Sequence, residues 1–160
     1  MASPLAFVFP GRVSQTVGMG RAVYAASARA RAVFEEADRI LGYKLSEICF
    51  SGPASKLDDT RVAQPAILTT SVALLEALAE DAVHPPGRLS DGNEPRGVSA
   101  LPSDIRPAFV AGHSLGEFSA LVAAGVLTFP DALRLVTERG RLASTKGARG
   151  AMAAVMAAFR

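Results

Sequence analysis

The chain has no tryptophan, a single cysteine (Cys49), two histidines, and a net charge of only +2 spread over 160 residues. Each scarcity removes a class of function. Aromatic residues make up 6% of the sequence and none is interleaved with a basic patch. The stacking platforms and cationic stripes of nucleic-acid binders are therefore missing. One cysteine cannot build an internal disulfide framework and fits a reducing compartment; its expected role is that of a small buried apolar side chain. Two histidines and one cysteine are too few donors for a protein-only zinc site, so no metal is expected. The N-terminus lacks a basic region followed by an apolar run and a cleavage site, and no apolar run is expected to reach membrane-spanning length. The expectation is a cytoplasmic protein with neither nucleic acid nor membrane as partner. What is abundant is aliphatic: hydrophobic residues make up 49%, enough in a chain of this size for one sizeable, Ala-rich core.

The most informative stretch runs from Phe109 to Leu121. Ala108 to Ala111 has the character of a short buried strand, and Glu117 to Ala124 that of a helix, with Phe118, Leu121 and Val122 at helical spacing. Between them lies Gly112-His113-Ser114-Leu115-Gly116. A serine between two glycines at a strand-to-helix turn is the nucleophile-elbow pattern. Glycine permits a tight turn and leaves approach to the hydroxyl open. The following helix aims its free N–H groups and positive dipole end at whatever reacts there. The alternative is a serine that merely caps a helix. The strand before the turn and the helix after it favour the nucleophile.

Along the rest of the chain, Leu5 to Phe9 predicts a buried strand ended by Pro10-Gly11, and helices are predicted around Val17 to Ala25 and over Ala28 to Leu41, the second with Gly42 as C-cap. Leu45 to Cys49 fits a short helix and Ser51 to Thr60 a polar loop. A long helix is predicted from Ala63 to Ala82, with Pro65 near its start, where a missing N–H does no harm. It is apolar over much of its circumference, as in a helix buried between layers. His84 to Ser103 holds four of the ten prolines and little that is large and apolar, so an exposed loop insert is expected, with His84 outside the chemistry. Thr128 to Ser144 predicts a last helix, capped by Thr128 or Asp131, with Leu133, Leu135, Val136 and Leu142 as its apolar positions. Ala151 to Ala158 is apolar and has the character of a further strand. Strands alternating with helices, without hairpin signals, imply an α/β fold with a parallel sheet. Two firm strands and a terminal one are few for such a sheet, so the chain is expected to be part of a larger domain.

Six motifs follow one another in a recognisable order: Phe7-Val-Phe-Pro-Gly11, Ser14-Gln-Thr-Val-Gly-Met-Gly20, Gln64-Pro-Ala66, Gly112-His-Ser-Leu-Gly-Glu117, Arg139-Gly140 and Gly150-Ala-Met-Ala-Ala-Val155. Together they resemble the malonyl-CoA:acyl-carrier-protein transacylase family, which includes the acyltransferase domains of polyketide and fatty acid synthases. The likeness covers nearly the whole chain outside the 84–103 insert. It implies an α/β-hydrolase-like large domain with a parallel sheet, interrupted by a ferredoxin-like small domain. Residues 1–150 would be part of the large domain and residues 151–160 the first strand of the small one. It also implies no cofactor beyond the substrates, malonyl-CoA and a phosphopantetheinylated acyl carrier protein.

The same resemblance assigns roles. Ser114 becomes the nucleophile that carries the malonyl group as an ester. The base is a histidine from a later segment; His113, adjacent to the nucleophile, is a poor substitute because neighbours at a turn rarely face each other. The oxyanion is received by two N–H donors, those of Leu115 and, from the loop after the first strand, Arg12. The family usually has Gly-Gln-Gly-Ser-Gln there, where this chain has Gly11-Arg12-Val13-Ser14-Gln15. If the family's glycine needs positive φ, Val13 is disfavoured and the loop is expected to shift. Arg139 presents a planar fork suited to the free carboxylate of malonate; the alternative is a surface arginine paired with Glu138 or Asp131. Gln64 would line the pocket or cap a helix. Arg134, Arg141, Lys146 and Arg149 would form a basic surface for an acidic carrier protein, or a solvated helix face. Two other functions remain open. One is an inactive binding module for a carrier protein or for a complementing C-terminal chain, motivated by the apolar tail. The other is a serine hydrolase, against which the missing triad members and Arg139 both count.

Overall fold

The computed structural model describes residues 4–83, 98 and 101–145. In chain order these form β1 (Ala6–Phe9), α1 (Arg21–Ala26), α2 (Ala28–Leu41), α3 (Leu45–Ser51), α4 (Ala54–Leu57), α5 (Thr60–Val83), β2 (Phe109–Gly112), α6 (Gly116–Ala123) and α7 (Phe129–Ser144). The fold is α/β, mostly helical, with a small parallel sheet. The predicted strand at 151–158, His84, Lys146 and Arg149 lie outside the described residues.

Helix α5 is the axis of the fold and packs against α1, α2, α3, α4, α6 and α7. Apolar residues lie all around it, as its many neighbours require. Ala63, Ala66, Leu68, Ala73 and Ala79 are fully buried. The helix is long and apolar enough to cross a membrane, contrary to the sequence expectation, but 78% of that window is buried inside the protein. Its apolar surface is thus satisfied by neighbouring helices. It starts at Thr60 rather than Ala63, because Asp59 caps it: the Asp59 carbonyl accepts from Val62 and Ala63, and its carboxylate from the Arg61 N–H at 2.9 Å. Pro65 consequently falls in the second turn.

Local signals explain the flanking helices. Ser27 caps α2 by accepting from the Ala30 N–H at 2.9 Å, and Gly42 ends it at φ 73°. The Thr128 side chain caps α7 by accepting from the Asp131 N–H at 3.3 Å. The main core joins α2, α3, α5 and α7 through Phe34, Leu45, Leu68, Leu133 and Val136; a smaller one joins β1, α5 and α6 through Phe9, Leu75, Ala79 and Ala120. Cys49 is buried in the main core, as expected.

β1 and β2 pair in parallel, with Ala6 opposite Phe109 and Phe9 opposite Gly112. Both strands were expected to be buried, yet Val8 is 74% and Phe109 67% exposed. A two-stranded sheet covered by helices on one side leaves its outer side chains open. Four further expectations need correction. Residues 17–20 form turns, with Gly18 and Gly20 at positive φ, so α1 begins only at Arg21. The polar 51–60 loop contains α4, anchored by the buried Leu57. The end of the insert folds back, since Leu101 is fully buried in the smaller core. In α7, Leu133 and Val136 are buried, whereas Leu135 and Leu142 are exposed.

Candidate active site

The elbow is built by close backbone contact. A Cβ on Gly112 would lie 1.9 Å from the Gly116 carbonyl carbon, and one on Gly116 would lie 2.2 Å from the Phe9 carbonyl oxygen. Glycine is required at both positions so that α6 can start directly against the ends of β1 and β2. The backbone strain falls on the serine itself. Ser114 has φ 54°, one of two non-glycine residues at positive φ among those described. Such a conformation costs on the order of 1–3 kcal/mol and persists only where the surroundings impose it. Here they do so through Gly116 N–H donating to His113 O at 2.8 Å and His113 N–H donating to Phe9 O at 3.2 Å. The result is an exposed Ser114 side chain above a buried Leu115.

Arg139 comes to this serine from α7, 25 residues later. Its Nη2 donates to Ser114 Oγ at 2.9 Å, and its Nη1 donates to Gln64 Oε1. Gln64, only 1% exposed, is fixed within α5. Gly140 makes the arrangement possible. A Cβ there would lie 2.9 Å from Thr60 O and 3.1 Å from Arg61 Cα, so α7 touches the first turns of α5 backbone to backbone. The alternative pairing for Arg139 does not occur: Glu138 is bound by Arg141 at 2.6 Å and Asp131 by Arg134 at 3.1 Å. Gln64 lies inside α5 rather than at its cap, and its side-chain oxygen accepts from the guanidinium.

The loop after β1 lies against the elbow. A Cβ on Gly11 would meet His113 O at 2.6 Å and His113 Nδ1 at 2.8 Å. His113 therefore packs beside this loop, and no hydrogen bond joins it to Ser114 among the described residues. Val13 takes the left-handed conformation feared from the sequence, with φ 81° and its side chain 84% exposed. The loop nevertheless remains ordered by its own bonds. The Val13 N–H donates to Gln15 Oε1 at 2.9 Å, Ser14 Oγ to Gly11 O at 2.7 Å, and Gln15 Nε2 to Asp58 Oδ1 at 2.9 Å. Arg12 Nη1 donates to Thr60 Oγ1, a partner that nothing in the sequence pattern singled out. The backbone N–H groups of Arg12 and Leu115 have no backbone acceptor among the described residues. Of the basic surface expected on α7, Arg134 and Arg141 are both neutralised by acids one turn away.

Chemically, the guanidinium supplies positive charge and donors at the hydroxyl but cannot accept its proton. Nucleophilic attack by this hydroxyl would require a base other than the guanidinium. A cavity of about 490 Å³ lies away from Ser114, against the open edge of β1, where Val8, Leu74 and Leu78 line it. It is apolar, and it is the uncovered side of the small sheet rather than part of the serine site.

The sequence pattern of the Acyl transferase domain family matches residues 6–87 and 101–159, skipping most of the proline-rich insert. The malonyl CoA-acyl carrier protein transacylase of Bacillus subtilis (strain 168) is 44% identical over 156 residues, which is 96% of this chain and 42% of that protein. The crystal structure of acyl-carrier-protein-S-malonyltransferase from Bartonella henselae superposes with a TM-score of 0.73 at 39% identity, covering 89% of this chain and 40% of that one. A malonyl-transacylase in complex with its type II polyketide acyl-carrier protein gives 0.69 at 38% identity, covering 88% and 38%. The chain thus spans about two fifths of the length of these relatives. With a matching pattern over most of its residues and the elbow serine, Gln64 and Arg139 drawn together, the chain belongs to the acyl transferase domain family.

Proposed function

We propose that the domain to which this chain contributes transfers a malonyl group from malonyl-CoA to the phosphopantetheine thiol of an acyl carrier protein, in fatty acid or polyketide synthesis. The observation that carries this reading is the Arg139 guanidinium 2.9 Å from Ser114 Oγ with no acid paired to it among the described residues. A carboxylate-bearing acyl group takes that charge, and its thioester carbonyl then lies over the serine. Ser114 Oγ attacks the carbonyl carbon and its proton passes to a histidine from the later part of the domain. The C–S bond breaks, and the CoA thiolate leaves with that proton. The carrier thiol reverses these steps, releasing Ser114. The N–H groups of Leu115 and Arg12 receive the oxyanion. The reading includes an α/β-hydrolase-like large domain, a ferredoxin-like small domain entered at 151–158, no further cofactor, and a cytoplasmic setting.

The experiment is to incubate the chain with malonyl-CoA, alone and together with the later segment of a relative's domain, and to follow intact mass. A malonyl ester on the mixture that is lost in Ser114→Ala supports the proposal. No ester above that control in either preparation contradicts it. The exposed Val8 and Phe109 favour a second reading, in which the chain binds a complementing C-terminal chain without chemistry of its own. Light scattering of the mixture reads this directly: a complex without ester supports it, and two unassociated species refute it. A neutral-ester hydrolase is disfavoured, because Arg139 would bury its charge against an uncharged substrate.

A further inference from the structure

Two guanidinium groups beside the elbow have no ion pair among the described residues, while their neighbours do. Arg61 pairs with Asp59 at 2.6 Å, Arg134 with Asp131 at 3.1 Å and Arg141 with Glu138 at 2.6 Å. Arg12 and Arg139 are held instead by neutral oxygens, those of Thr60 Oγ1 and Gln64 Oε1. Thr60 and Gln64 are four residues apart on α5, so their side chains rise from one face about 5–6 Å from each other. The two arginines reach that face from opposite partners of the elbow. Gly11, just before Arg12, lies against His113, and Arg139 lies against Ser114. The nearby acids are already occupied: Asp58 by Gln15, Asp59 by Arg61 and Glu138 by Arg141. Two cations held over one face of α5, each by a neutral acceptor, offer charge that no described acid neutralises to an incoming anion.

We propose that the Arg12 side chain is a second anion-binding group of the site and, with Arg139, grips the carboxylate of the acyl group from two sides. This rests on the acyl-transfer reading above and adds a residue to it. A carboxylate has about four lone-pair sites on two oxygens, enough for two guanidinium forks. The arrangement raises discrimination against uncharged acyl groups above what one arginine provides. The same cation pair could instead serve a phosphate of the pantetheine arm, and the experiment separates the two.

The test measures the Kd of malonate and of inorganic phosphate by calorimetry for the 160-residue chain and its Arg12→Gln, Arg12→Lys, Arg139→Gln and Arg134→Gln variants, at one fixed ionic strength. Circular dichroism confirms that each variant folds. The expected result is a loss of about tenfold in malonate affinity for Arg12→Gln, partly recovered in Arg12→Lys, with phosphate changed less than about twofold and Arg134→Gln neutral. Malonate binding that falls in Arg139→Gln but not in Arg12→Gln overturns the inference and leaves the acyl-transfer reading intact. Binding indifferent to both, or absent from the unaltered chain, overturns both. A phosphate loss without a malonate loss in Arg12→Gln overturns the carboxylate assignment, and a comparable loss in Arg134→Gln reduces Arg12 to general surface charge.

Discussion

Arg139, within α7, donates from Nη2 to Ser114 Oγ at 2.9 Å, although Ser114 lies on the turn between β2 and α6, 25 residues earlier. Ser114 is held at φ 54° by the elbow. Arg139 is held by Gln64, and by the absence of a side chain at Gly140. The site is therefore set by backbone contacts around it, and these can be disturbed one at a time.

Gly140→Ala tests the α5–α7 contact. The added methyl would meet backbone atoms of Thr60 and Arg61 at 2.9 and 3.1 Å, which cannot yield as a side-chain end would. A loss of about 1–3 kcal/mol is expected from such overpacking, read by urea denaturation of the chain. The same variant in a complete domain should lose preference for malonyl over acetyl groups, since Arg139 moves with α7. Unchanged stability would show that the helices are not in contact there.

Val13→Gly should stabilise the protein. A β-branched residue at φ 81° carries strain that glycine does not, and its side chain is 84% exposed, so little packing is lost. The expected gain is about 1 kcal/mol, reduced by the greater freedom of glycine in the unfolded chain. A lower denaturation midpoint would mean that the Val13 side chain contributes more through its contacts than its left-handed backbone costs.

Gln64→Ala removes the acceptor that steadies the guanidinium. Losing one hydrogen bond to a charged group costs about 1.5–3 kcal/mol, so malonyl-CoA KM in a complete domain should rise about ten- to hundredfold. Gln64→Glu should be worse still, because its carboxylate competes with the substrate's. An unchanged KM in both would separate Gln64 from Arg139 function.

Cys49 predicts an alkaline limit. Burial, assisted by Asp38, pushes its thiol up from 9.0 to about 12. The folded state keeps the proton that the unfolded chain releases near pH 9, so this contribution is complete below that pH and is lost progressively between about 9 and about 12. Urea midpoints should fall over that window, less steeply in Cys49→Ala. In the native protein at pH 8 the thiol should resist alkylation, and it should react once denaturant is added.

How much of this could be read beforehand depended on whether the cause was local. The end of α2 and the start of α7 followed from Gly42 and Thr128, whose capping acts within a few residues, whereas Ser27, which caps the start of α2, was not singled out. The elbow was legible because glycine spacing records steric contact directly. Helix α4 was missed because Gly52-Pro53 and polar neighbours suggest a loop, while its anchor, Leu57, is a single buried residue. The exposure of Val8 and Phe109 could not be read, since an apolar strand looks the same whether or not a neighbour covers it. Arg139 was found through resemblance alone, and Gln64 and Thr60 as its and Arg12's partners only through geometry, because those pairs are separated by 75 and 48 residues.

The central claim is that Arg139 places a carboxylate-bearing acyl group over Ser114. It is tested most directly by offering equal malonyl-CoA and acetyl-CoA to the chain complemented by the later segment of the domain. The ratio of the two esters on Ser114 is then read by mass, in the unaltered sequence and in Arg139→Ala. The account predicts a malonyl ester in excess, and a fall in that excess of about tenfold or more on removing the guanidinium. An undiminished malonyl preference in Arg139→Ala would contradict it.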